Sequence, residues 1–224
     1  MLENIHRYER KWVYRNKDYL QLINSLLRSN FFFRYQFQNR KVNSIYFDDN
    51  KFSSIIENLD GINNKKKIRV RWYGLTNVIV NPVIEIKTKR GFQNEKKIIS
   101  LKSFKNNNSL DYKFLKNLTQ KVNEVIKSKK FYFPILSTHY NREYFISNNF
   151  NIRATVDHDL ESVFIKNESE FSMKKKFLSE CILELKYSTH LDEIVRLNLK
   201  QMTLRLSKNS KYINSFFNKN FFYV

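Results

Sequence analysis

In the stretch Lys67-Ile68-Arg69-Val70-Arg71-Trp72-Tyr73-Gly74, basic and apolar residues alternate. On a β-strand that period sends Arg69 and Arg71 to one face and Ile68, Val70 and Trp72 to the other. The same alternation recurs four times. Arg7, Glu9 and Lys11 share a face around Tyr8 and Arg10; Glu85, Lys87 and Lys89 share one around Ile84 and Ile86. Arg153, Thr155 and Asp157 form a further row, and Glu184 and Lys186 another. Guanidinium and ammonium groups bind phosphoryl oxygens, the guanidinium as a planar, bidentate fork. A few carboxylates among them supply hard oxygen ligands for a divalent cation. The rows therefore suit a polyanion held together with a metal ion.

Five charged rows need strands that bring them together. One economical arrangement is a closed antiparallel β-barrel with a polar, basic lumen, whose apolar rows face outward and are covered by helices. The alternative is an ordinary sheet whose charged rows are solvated and paired in surface salt bridges, each worth little. Five rows of one kind favour the lumen. The remaining elements follow in order. The spacing predicts a strand over 5–14 and a helix through Tyr19, Leu20, Leu22, Ile23, Leu26 and Leu27, with Asn16 or Asp18 as its cap. A strand over 42–48 and a short helix over 52–59 come next, the latter closed by Asp60-Gly61. Asn81-Pro82 marks a turn before the Glu85 strand, and a further strand is expected near 96–102. Residues 110–127 read as an amphipathic helix, and 135–145 as a strand joined through Asn148-Asn149 to the Arg153 strand. Residues 166–176 read as a mobile loop or strand edge, and 191–204 as a helix. An aromatic tail, Phe216-Phe217 and Phe221-Phe222-Tyr223, packs on the protein or on a partner. No repeat or linker interrupts the chain, so a single α+β domain over 1–224 is expected.

Composition narrows the function classes. The formal net charge is +20, from 41 Lys and Arg against 21 Asp and Glu. That favours an anionic partner, although the abundance of Lys, Asn, Ile, Phe and Tyr also fits codon bias, and Arg is the better witness. One cysteine, Cys181, excludes an intrachain disulfide and a cysteine-built zinc site. Only three glycines occur, Gly61, Gly74 and Gly91, too far apart for a phosphate-cradling loop. Phosphates must then be held by side chains. His6, His139, His158 and His190 show no metal-ligand spacing. No apolar run approaches the roughly 20 residues of a membrane span, and the N-terminus lacks a signal-peptide core, so a cytoplasmic location is expected.

Eight segments, in order over nearly the whole chain, carry a resemblance. They are Arg7-Tyr8-Glu9-Arg10-Lys11-Trp12, Ser44-Ile45-Tyr46-Phe47-Asp48, Ile68–Gly74, Glu85-Ile86-Lys87, Tyr140-Asn141-Arg142, Ile152–Asp157, Leu183-Glu184-Leu185-Lys186 and Ser210-Lys211-Tyr212. Together they resemble the VTC-type polyphosphate polymerase domain of the triphosphate tunnel metalloenzymes. The resemblance implies that Lys11, Arg69, Arg71, Lys87, Arg142 and Arg153 hold a triphosphate, with Lys186 beside them. It adds Lys96, for which Lys97 is an alternative, and Lys211, for which Lys208 is a rival. It implies that Glu184 binds Mn2+ or Mg2+, with Glu9, Glu85, Asp157 and Lys89 in supporting positions. The implied substrates are ATP and inorganic polyphosphate or triphosphate, and no specific nucleic acid. A stand-alone domain of this kind is compatible with a soluble enzyme or with one subunit of a complex that includes a membrane protein. Arg7 stands where the adenylate-cyclase and thiamine-triphosphatase branch has Glu, which fits the polymerase branch. Ile213-Asn214-Ser215 follows Ser-Lys-Tyr, where the family commonly has Gly. Three functions stay open: polyphosphate synthesis from ATP, hydrolysis of a triphosphate on the same residues, and non-enzymatic polyanion binding.

Overall fold

The computed structural model describes residues 7–91, 93–101, 111–148, 151–165, 175–198, 206–207 and 209–217. Among them are nine strands: β1 (Arg7–Arg15), β2 (Phe33–Asp48), β3 (Lys65–Tyr73), β4 (Val83–Arg90), β5 (Gln93–Ser100), β6 (Phe133–Ser147), β7 (Arg153–Phe164), β8 (Lys175–Leu178) and β9 (Glu180–Ser188). Five α-helices accompany them: α1 (Tyr19–Leu27), α2 (Ser53–Leu59), α3 (Tyr112–Ile126), α4 (Asp192–Asn198) and α5 (Lys211–Phe217). The hydrogen-bonded order is β1-β9-β7-β6-β2-β3-β4-β5, with β8 on β7. The order ends at β1 and β5, and no ladder joins these two among the described residues. The sheet is thus open where a closed barrel was expected. The physical reason lies in β5: most of its side chains are exposed, and Glu95, Lys96 and Lys97 give it the charged character of a protected edge.

The chain divides into two compact units, and each has its own core. The first is drawn from Met1–Arg40, Tyr140–Leu160 and Phe177–Asn209. Its apolar rows do what the alternation predicts. Trp12 from β1, Ala154 and Val156 from β7, and Cys181, Leu183 and Leu185 from β9 are buried together with Leu22, Ile23 and Leu26 of α1 and Val195 of α4. Asp18 heads α1, but its side chain makes no capping bond and instead accepts from Arg15 Nε at 3.2 Å. The tryptophan row therefore faces helices, and the charged row of the same strands faces away from them.

The second unit comprises Lys41–His139, Glu161–Lys176 and Ser210–Val224. Ile45 and Phe47 of β2, Ile68, Val70 and Trp72 of β3 and Ile84 of β4 pack on Phe114, Leu115, Leu118 and Val122 of α3. The Asp111 carboxylate caps α3 by accepting from Phe114 N at 2.8 Å, which fixes where the helix starts. A smaller cluster joins Tyr46, Ile55, Ile135, Leu136 and Tyr212, with Phe52, Phe164 and Phe216 packed against it. Phe216 of the aromatic tail thus packs, half-buried, against this cluster, while residues 218–224 lie outside the described part. So do most of the expected loop at 166–176 and the end of the expected 191–204 helix.

Candidate functional site

In the first unit, strand pairing places the charged residues. Antiparallel register sets Lys11 of β1 opposite Glu184 of β9, and Glu9 opposite Lys186. On the other side of β9, Thr155 of β7 faces Glu184 and Arg153 faces Lys186. Cross-strand partners share a face, so five of the expected site residues become neighbours by pairing alone. Lys11 Nζ lies 2.8 Å from Glu9 Oε1 and 3.4 Å from Glu184 Oε2. Lys186 Nζ lies 2.7 Å from Glu184 Oε1 and 3.6 Å from Glu9 Oε2. The two lysines bridge the two carboxylates. Glu184 is only 8 % exposed. Burial pushes its carboxyl up, but the Lys11 and Lys186 charges outweigh burial and hold it down at about 2. Lys11 is raised above its ordinary value: burial lowers it, and the Glu184 and Glu9 charges more than reverse that.

Arg142 on β6 and Asp157 on β7 form a bidentate pair, Nε to Oδ1 at 2.5 Å and an outer nitrogen to Oδ2 at 2.7 Å. Asp157 is fully buried, so its role is to fix the plane of the guanidinium. Arg142 also sits over the Tyr140 ring, 5.4 Å from its centroid. Arg153 is exposed. His158 pairs with Asp159 at 2.8 Å rather than with the adjacent Asp157, and its other nitrogen lies 3.4 Å from Glu143, which accepts from the Tyr19 hydroxyl.

In the second unit, Glu85 of β4 is the hub. It stands opposite Arg69 of β3 and is 4 % exposed. Arg69 Nε donates to Glu85 Oε2 at 2.7 Å, Arg71 lies 3.5 Å from Oε1, and Lys96 Nζ lies 2.9 Å from Oε1. Burial raises the Glu85 carboxyl, but Arg69, Arg71 and Lys96 together bring it down to about 2. Register separates Lys96 from Lys97 by face. Lys96 faces Lys87, on the row of Glu85, whereas Lys97 faces Ile86 on the apolar row. Lys87 and Lys89 are exposed, with Lys87 between Lys67 and Lys96 in the pairing. Lys211 opens α5, and Lys208 lies outside the described residues.

Sequence reasoning named none of Tyr46, Lys67, Asn209 and Ser210 as a site residue. Tyr46 accepts a bond from Arg69 at 3.3 Å, Lys67 donates to Ser210 Oγ at 3.1 Å, and Lys11 donates to the Asn209 carbonyl at 3.4 Å. The available signal for Tyr46 was its strand parity: it sits two residues from Ser44 and Asp48, opposite Arg69.

The family model of the VTC domain matches residues 6–217. The chain belongs to the VTC domain family. No curated protein matches the VTC domain described here. Its fold is shared by an adenylyl cyclase-like protein of Hippeastrum described as having a dominant triphosphatase activity. The two align with a TM-score of 0.57 at 12 % identity, over 96 % of this chain and 97 % of that one. An adenylate cyclase-like protein of Bacillus halodurans aligns with a TM-score of 0.55 at 12 % identity, over 93 % and 96 % of the two chains. At this identity the likeness concerns the fold alone.

The donor set around Glu184 fits a hard divalent cation. Glu184 and Glu9 offer carboxylate oxygens, and the buried Thr155 Oγ1, opposite Glu184 in the register, has no hydrogen-bond partner among the described residues. Mg2+ and Mn2+ accept such oxygens and take their remaining ligands from substrate phosphates and water. No group of three or more His, Cys, Asp or Glu side chains that could by themselves hold a metal ion occurs among the described residues. The helices described contain none long and apolar enough to cross a membrane.

Proposed function

We propose that this VTC domain is a metal-dependent polyphosphate polymerase that transfers the γ-phosphate of ATP to a growing polyphosphate chain. The observation that carries this reading is the saturation of Glu85 and Glu184 by cations in a protein of the VTC family. Phosphoryl transfer needs positioning and neutralisation of charge on the phosphoryl oxygens more than covalent help from the protein. Arg69, Arg71, Lys87, Lys96 and Lys211 in the second unit, and Lys11, Arg142, Arg153 and Lys186 in the first, are the cations suited to that task. Glu85 and Asp157 keep Arg69 and Arg142 in fixed orientations, so little ordering is left to do when phosphate arrives. Glu184, with Glu9 and Thr155, would hold Mn2+ or Mg2+. When bound, the ion supplies Lewis-acid neutralisation of phosphate oxygens. A terminal phosphate oxygen of the polymer attacks the γ-phosphorus, the bond from that phosphorus to its bridging oxygen breaks, and ADP leaves.

Hydrolysis of a triphosphate by water uses the same residues, and the triphosphatase activity described for the Hippeastrum protein of the same fold supports it as a second reading. The test is incubation of the purified protein with ATP and Mn2+, following polymer on a polyphosphate-staining gel, ADP and free phosphate together. A ladder with ADP establishes synthesis, and phosphate without a ladder selects hydrolysis. Glu184→Gln should lower either activity by about 100-fold or more at saturating metal; full activity in that variant would remove Glu184 from the metal role.

A further inference from the structure

Tyr46 is a buried polar group of the second unit that neither the charged rows nor the proposed mechanism uses. It is 5 % exposed and sits on β2 directly opposite Arg69 of β3. Its hydroxyl oxygen accepts from an Arg69 terminal nitrogen at 3.3 Å. Its ring stacks on Tyr212 of α5, with centroids 4.8 Å apart and planes 11° apart. Tyr212 in turn donates its hydroxyl to buried Asp48 at 2.9 Å, so the phenol is locked from behind. The leading charges acting on the Tyr46 hydroxyl are cationic: Arg69 and Arg71 from β3, and Lys211 from α5. Two carboxylates tied to the same cluster are engaged by other donors, Glu85 by Arg69, and Asp48 by Tyr212 and the α2 N-terminus. Among the described residues, no acceptor takes the proton of the Tyr46 hydroxyl. Nor does any group there accept from the buried Nε of Arg71, which belongs to the same set of cations.

Resting on the reading of these cations as a phosphate site, we propose that Tyr46 is a substrate-binding residue whose hydroxyl donates to a phosphate oxygen, so that polyphosphate binding is coupled to proton uptake by this side chain. The electrostatics give the coupling its sign. Burial raises the phenol, but the Arg69, Arg71 and Lys211 charges outweigh it and bring the free hydroxyl down to about 8. An arriving polyanion compensates those charges and needs a donor, so it selects the protonated form. Binding is therefore at full strength below pH 8 and weakens as the pH rises through it, because the phenolate must first take up a proton.

The test uses tripolyphosphate in metal-free buffer, with calorimetry in buffers of different ionisation enthalpy. At about pH 9 the wild type should take up roughly 0.9 proton more per ligand than Tyr46→Phe, the ionised fraction of such a group. Near neutral pH the variant should bind about tenfold more weakly, as for a lost hydrogen bond to a charged acceptor. The wild type alone gives a second readout: the near-ultraviolet absorbance of one phenolate at about pH 9 should disappear when tripolyphosphate is added. Equal proton uptake in the two proteins, unchanged neutral-pH affinity in the variant, or no loss of phenolate absorbance would overturn the assignment of Tyr46. Absence of tripolyphosphate binding by the wild type near neutral pH would instead overturn the phosphate site itself.

Discussion

At the scale of single residues, the site is a set of buried carboxylates out-numbered by cations. Glu85 faces Arg69, Arg71 and Lys96, and that imbalance has a measurable signature in acid. Its carboxyl, ordinarily at 4.5, is held at about 2 in the folded protein. The folded state then binds fewer protons than the unfolded chain in this window. The stabilisation is complete above pH 4.5 and is lost as the pH falls from there towards 2. Thermal melts across that range should show the melting temperature dropping in the wild type and dropping less steeply in Glu85→Gln, which retains the parallel contributions of Glu184, Asp49 and the other lowered carboxyls. Identical slopes would mean that Glu85 is not charge-paired in the fold. Much of this was legible in the sequence, because strand alternation alone puts Glu85 with Lys87 and Arg69 with Arg71. What alternation could not give was pairing across strands. Only register distinguishes Lys96 from Lys97, or shows that Glu9 and Glu184 share both Lys11 and Lys186. Tyr46 escaped for another reason. A tyrosine in an apolar strand reads as core, and only the three cations that act on its hydroxyl make it a polar group of the site.

At the scale of elements, Asp48 is the joint of the second unit. Fully buried at the end of β2, it accepts from the backbone N–H groups of Asp49, Ser54 and Ile55 and from the hydroxyl of Tyr212. It thereby ends a strand, starts α2 and ties down α5, the helix that presents Lys211. Asp48→Ala should cost about 2–4 kcal/mol, several buried donors being left unsatisfied at once. Tyr212→Phe should cost about 1 kcal/mol, one hydrogen bond. Chemical denaturation of both variants checks the ranking, and a reversed order would place the anchoring elsewhere. This element-level design is faint in the sequence. The expected strand began at Val42, yet β2 begins at Phe33. Its first half alternates Phe33, Tyr35 and Phe37 with Arg34, Gln36 and Gln38, a strand period that the expected start at Val42 passed over, and β2 pairs with β6. Residues of α5 read only as a motif ahead of an aromatic tail, because a helix of two turns owes its existence to Tyr212 and Phe216 packing rather than to propensity. By contrast α3, with a capping Asp111 and a long apolar face, declared itself within a residue or two.

At the scale of the whole molecule, the net charge of +20 and the scarcity of glycine were the most informative global facts. The first pointed to an anionic partner and the second removed every loop-based way of holding one, leaving side chains on strands. Composition did not speak to whether the sheet closes on itself, since closure depends on edges, and an edge strand such as β5 is distinguished only by what fails to pair with it. The pairing of β1 with β9 carries a last consequence, in the kinetics of folding. These strands lie near opposite ends of the chain, yet Lys11 and Glu184 meet only through their ladder. Such a ladder closes a long loop of the chain, and the entropy of that closure is lost before any contact repays it. On the ribosome, β1 waits unpaired until β9 has emerged. The Lys11–Glu184 pair is thus assembled late, and refolding from denaturant should recover far-ultraviolet helix signal well before the proposed metal-dependent activity. Simultaneous recovery of the two would show instead that the terminal strands find each other early.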